Sequence, residues 1–96
     1  MRFENQVVFV TGGASGIGLA TAERVTSEGG RAVIVDLDVE RAQSAAVDVP
    51  GSIGLAANVA DDAAVAAAVA AAIEHFGRID LVLAAAGHAE FGPIAD

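Results

Sequence analysis

Residues 9 to 18 read FVTGGASGIG, an apolar run that empties into a turn with four glycines among its last eight residues. The chemistry such a turn performs is anion binding. Where a strand ends and a helix begins, the helix presents unpaired N–H groups and the positive end of its dipole. Glycines there let a phosphate approach the backbone at places a Cβ would block. Ser15 is placed to cap the helix, and Gly18 to let it pack closely on its strand. The competing phosphate loop, GxxxxGK[ST], is excluded because it needs a lysine, and strict GxGxxG spacing is also absent. A tight strand-to-helix turn that binds nothing remains the alternative at this stage.

The elements that would position this turn follow from hydrophobic periodicity. Short β-branched runs at 6–11, 31–36, 52–58 and 79–85 alternate with helical patterns at about 16–28, 38–47 and 62–76. In the last of these, Val65, Val69, Ile73 and Phe76 recur at helical spacing and predict the buried stripe. Glycines mark the element ends: Gly29 and Gly30 after the first helix, Gly51 and Gly54 around the third strand, Gly77 after the last helix. Strand, helix, strand repeated in this way predicts an α/β fold with parallel strands, because each crossover returns the chain to the same end of the sheet. Neither a linker nor a repeat divides residues 1–96, which are read as one domain.

Composition narrows the partners. The chain has 96 residues, 54% of them hydrophobic, and a formal charge of -8. Its five basic residues are all arginine. Nucleic acid and anionic membranes are held by clustered Lys and Arg, so neither is expected. The absence of cysteine removes disulfides, thiolate metal sites and cysteine nucleophiles, and fits a cytoplasmic protein. The apolar run AAVAAAVAAAI at 63–73 is too short to suggest a membrane span, and the N-terminus does not read as a signal peptide. No metal-ligand constellation appears.

Thr11-Gly12-x-x-x-Gly16-x-Gly18 resembles the TGxxxGxG motif of the short-chain dehydrogenases/reductases (SDR), and the likeness runs over essentially the whole chain. It implies a partial Rossmann fold of about four parallel strands in the order 3-2-1-4, with helices on both faces, and an NAD(H)- or NADP(H)-binding role. By that resemblance Gly12, Ser15, Gly16, Ile17 and Gly18 lie along the adenosine ribose and pyrophosphate. Asp36, at the end of the second strand and 18 positions after Gly18, stands where a carboxylate accepts both ribose hydroxyls. No basic residue stands at Leu37, Asp38 or Ser15, so NAD is expected over NADP. Asn58-Val59 resembles the family's Asp-Val pair at the adenine. For Asp36 and Asn58 a helix-capping role is the competing reading. Ala86 and Gly87 permit close backbone approach to the cofactor, although Ala84 and Ala85 replace the asparagines of the family's NNAG.

The family's hydride transfer between NAD(H) and an alcohol or carbonyl requires a Ser, a Tyr and a Lys, and this chain has no Tyr and no Lys. The expectation is therefore a truncated, NAD(H)-binding N-terminal portion, catalytically incompetent by itself and without a catalytic residue of its own. A small-molecule alcohol or carbonyl substrate enters only if the domain is completed. His75, at a helix end, reads as a favourable cation at the C-terminal dipole, and His88 as an ordinary loop residue. The alternative function is a non-catalytic fragment or partner-pairing module without useful nucleotide binding. An unpaired outer edge on the fourth strand would favour self-association.

Overall fold

The computed structural model describes residues 3–12, 16–58, 60–84 and 90–92. It contains β1 (Val7–Thr11), α1 (Gly16–Ser27), β2 (Arg31–Asp36), α2 (Val39–Asp48), β3 (Ser52–Ala56), α3 (Asp62–Phe76), β4 (Leu81–Ala84) and β5 (Glu90–Gly92). The sheet runs β3-β2-β1-β4-β5. Its first four strands are mutually parallel, as the 3-2-1-4 expectation required.

Strand composition follows position in the sheet. All five residues of β1 are buried, as are Ala32 to Val35 of β2, because parallel central strands are covered on both faces and need apolar side chains throughout. Alternate residues feed opposite layers. Val7, Phe9, Val33 and Val35 meet Ala68 and Ala72 of α3. On the other face, Ala32 and Ile34 pack with Ala22 of α1 and Ala45 of α2, and Val8, Val10 and Leu83 pack with Val25 of α1.

Two expectations are corrected here. The stripe on α3 is centred on Ala68 and Ala72, with Val69 and Phe76 at its margin, while Ile73 stays 43% exposed. Small side chains let this helix lie close to the sheet, so the larger residues sit beside the line of contact. The outer edge of β4 is also not bare. Val82, Leu83 and Ala84 pair with Gly92, Phe91 and Glu90 of the antiparallel β5.

Gly54 is more than punctuation. A Cβ on it would lie 2.3 Å from the carbonyl oxygen of Ala42 and 2.6 Å from its carbon, so α2 rests directly on the backbone of β3. Glycine inside a strand commonly marks such an approach.

Asp80 fixes the opposite end of the sheet. Its Oδ2 accepts the N–H of Val7 at 2.7 Å, its own N–H donates to Val7 O at 2.8 Å, and Arg78 donates to Oδ1 from Nε (3.1 Å) and Nη2 (2.5 Å). Burial pushes the carboxyl's pKa upward, but the hydrogen bonds from Arg78 and Val7 and the guanidinium charge together hold it below the usual carboxylate value. A lowered folded-state pKa contributes stability that is present above the unfolded value, about 3.9, and disappears as pH falls through the folded value. Asp80→Asn should thus cost about 1–2 kcal/mol at neutral pH, with a smaller further loss on acidification than the parent shows. Urea denaturation across a pH series measures both.

Candidate functional site

The glycine-rich stretch begins at the carboxyl end of β1, before α1. Thr11 is buried at the strand's end, and its Oγ1 reaches Leu83 O on β4 at 3.5 Å, which holds the two strand ends together. Gly12 follows at φ 68° and Gly16 opens α1 at φ 58°. An added Cβ at Gly16 would meet no atom within 4 Å, so glycine is required there by the left-handed backbone rather than by crowding. Gly16→Ala should accordingly cost about 1 kcal/mol or more through strain alone, read as a lower melting temperature.

The N-terminus of α1 differs from those of the other helices. Asp38 caps α2, accepting from the N–H groups of Glu40 and Arg41, and Glu40 lies in the first turn. Asp61 caps α3 in the same way, with Asp62 in the first turn. The first turn of α1 carries no acidic residue. Its positive end is therefore not neutralised by a neighbouring carboxylate within that turn, which favours an external anion. Gly18 is buried among the residues that α1 presses onto the sheet, as its proposed packing role requires.

The other candidates gather at the same edge of the sheet. In the β1–β2 register Thr11 faces Val35, so Asp36 stands one residue further along the adjacent strand. Asp36 is half-buried, and its Oδ1 accepts the N–H of Asp38 at 3.2 Å. Its Oδ2 has no hydrogen-bond partner among the described residues. The capping alternative for Asp36 is overturned, because Asp38 holds that position. Asn58 lies two residues beyond the end of β3 and is exposed. Its Oδ1 accepts Ala60 N–H at 2.9 Å in a local turn, and Asp61 rather than Asn58 caps α3. The amide oxygen keeps a second lone pair for a ligand.

Two large apolar side chains flank this edge in solvent. Ile17 is 78% exposed and Leu37 is 72% exposed. Ser15, Val59, Ala86, Gly87 and His88 lie outside the described residues. His75 is in the last turn of α3, its ring packed edge-on against Phe76 at 4.6 Å between centroids, away from the glycine turn in the sequence. Among the described residues no three acidic or histidine side chains form a metal site, and no helix is long and apolar enough to cross a membrane.

The carboxyl edge thus joins a glycine turn, a helix N-terminus and a carboxylate around the point where strand order reverses, between β1 and β4. Ligands of open parallel α/β sheets bind at that switch point. Sequence reasoning missed Asp80 and the structural role of Gly54. An acidic residue immediately before β4 and a glycine in the middle of a strand were the available signals.

Comparison with known proteins agrees with this architecture. The family model described as short chain dehydrogenase matches residues 6–96. D-threitol dehydrogenase of Mycolicibacterium smegmatis is 42% identical over 96 residues, covering 96% of this chain and 37% of the relative. Galactitol 2-dehydrogenase of Agrobacterium fabrum is 37% identical over 95 residues, covering 98% and 37%. The crystal structure of 3-ketoacyl-(acyl-carrier-protein) reductase from Brucella melitensis complexed with NADH superposes with a TM-score of 0.80 at 36% identity, covering 83% of this chain and 33% of that one. The chain therefore spans just over a third of the curated relatives' length. It belongs to the short-chain dehydrogenase/reductase family, whose N-terminal portion it matches.

Proposed function

We propose that this chain is the NAD(H)-binding portion of an oxidoreductase that moves a hydride between NAD(H) and an alcohol or carbonyl substrate. The observation that carries the reading is the placement of Asp36 at the end of the strand beside β1, next to a glycine turn that feeds a helix without an acid in its first turn. A structural relative solved as a complex with NADH supports a dinucleotide as the ligand.

The residues present fit the group. The turn and the first N–H groups of α1 would hold the pyrophosphate, with Gly12 and Gly16 supplying the backbone conformations. Asp36 would accept from the adenosine ribose hydroxyls, and its charge would repel a 2′-phosphate. Ile17 and Leu37, exposed in the free chain, would lose water against the nucleotide. Asn58 would offer its amide oxygen to the adenine amino group. When bound, the nicotinamide ring supplies the hydride donor or acceptor, and this chain's residues orient the other end of the molecule. Catalytic Ser, Tyr and Lys would come from the portion that the relatives have beyond this length.

A fusion tests the reading. Joined to the remaining portion of D-threitol dehydrogenase, the chain should form NADH from a polyol alcohol, whereas the 96 residues alone should form none. A folded fusion that binds no NAD⁺ would favour the alternative, a non-catalytic fragment.

A further inference from the structure

We infer that Asp38 is a positioning residue for dinucleotide choice: by capping α2 it holds the Asp36 carboxylate in the direction that an NAD(H) ribose needs. The inference rests on the NAD(H)-binding reading of the carboxyl edge, and on bonds that the free chain already makes. Two bonds hold Asp36. Its carbonyl oxygen accepts the N–H of Ala57 at 3.0 Å, which ties the end of β2 to the residue following β3. Its Oδ1 accepts the N–H of Asp38 at 3.2 Å. This second bond is only as steady as the backbone at Asp38, where the chain has left β2 and not yet entered α2. Leu37, between the two acids, is 72% exposed and does not anchor that loop by burial.

Asp38 supplies the anchor. Its Oδ1 accepts the N–H of Glu40 at 2.9 Å and of Arg41 at 3.4 Å, and its carbonyl oxygen accepts that of Ala42 at 3.0 Å. Its backbone holds the extended conformation of a helix cap, φ -98° and ψ 116°. The cap in turn stands on a fixed base. Ala42 is buried, and a Cβ added to Gly54 would lie 2.3 Å from its carbonyl oxygen, so the first turns of α2 rest on the backbone of β3. The contacts close a ring that runs from β3 through Ala42 and Asp38 to Asp36 and returns to β3 at Ala57. A ribose reaching this edge finds the carboxylate already directed, and no ordering of that side chain is left to binding.

Calorimetric titrations of the 96-residue chain with NAD⁺ and with NADP⁺ test the role of Asp38, each variant first being shown to be folded by circular dichroism. Asp38→Ala should bind NAD⁺ about twofold to tenfold more weakly than the parent, the cost of ordering one side chain on binding, and should narrow the preference over NADP⁺. Asp38→Gly removes the same side chain at little cost to the helix and should behave alike. Asp38→Asn keeps a cap of equal quality without the charge, and should restore both affinity and preference. A purely structural cap would lower the melting temperature of Asp38→Ala and leave the preference untouched. That result would overturn the inference, provided Asp36→Ala loses the preference. So would an Asp38→Asn that behaves like Asp38→Ala, since the effect would then belong to the charge. A parent that binds neither dinucleotide, or an Asp36→Ala that changes nothing, would remove the NAD(H)-binding reading itself and this inference with it.

Discussion

Asp36→Ala should weaken NAD⁺ binding about tenfold to a hundredfold, the worth of one or two hydrogen bonds to a charged acceptor. It should at the same time narrow the gap between NAD⁺ and NADP⁺. Both effects have one origin. On the proposed reading the carboxylate would accept from a vicinal pair of ribose hydroxyls, and the same charge would be repulsive when one of them bears a phosphate. Asp36 uses Oδ1 within its own loop, on Asp38 N–H, and this bond fixes the carboxylate's direction without occupying Oδ2. Parallel calorimetric titrations with the two dinucleotides provide the check. Equal affinities before and after substitution would remove Asp36 from the site.

The second large effect is on stability. Gly54→Val places a branched side chain where even a Cβ lies 2.3 Å from Ala42 O and 2.9 Å from Gln43 N. These are backbone atoms of α2, so no flexible side chain can swing away. Either the helix lifts from the sheet or β3 slips, and Ala42 and Ala45 lose their buried contacts. Overpacking of this kind costs about 1–3 kcal/mol and sometimes more. At about 4–8 °C per kcal/mol for a domain of this size, the melting temperature should fall by roughly 4–24 °C. A thermal melt within two degrees of the parent would mean that α2 is not held on β3 as described.

Much of the frame was legible because it rests on local pattern. The run RAVIVD forms a strand over the same residues the sequence predicted, 31–36, and the Ala-rich segment forms a helix over 62–76. Both signals are strong: a β-branched core strand, and a run of the best helix former closed by Asp61 at one end and Gly77 at the other. What was not legible depended on distance in three dimensions. The periodic valines of α3 suggested one face, but sheet proximity selected Ala68 and Ala72. Asp36 and Asn58 both looked able to cap a helix, and only the backbone path showed that Asp38 and Asp61 do so. EFG at 90–92 is too short to carry a strand signal, and its pairing is set by β4. Asp80 pairs with a residue 73 positions earlier in the chain, which no local window contains.

The glycine turn itself was the most legible feature, since its spacing, its place after an apolar strand and Asp36 downstream agree with one another. The proposed function therefore stands on whether that edge takes a dinucleotide. The direct measurement is an NAD⁺ titration of the nitrogen-labelled chain followed by amide chemical shifts. Saturable changes at Gly12, Gly16, Ile17, Gly18, Asp36, Leu37 and Asn58, with Thr26, Ser27 and Val49 at the opposite end of the sheet unmoved, are the predicted result. A folded chain whose spectrum does not respond, or responds only away from that edge, would contradict it.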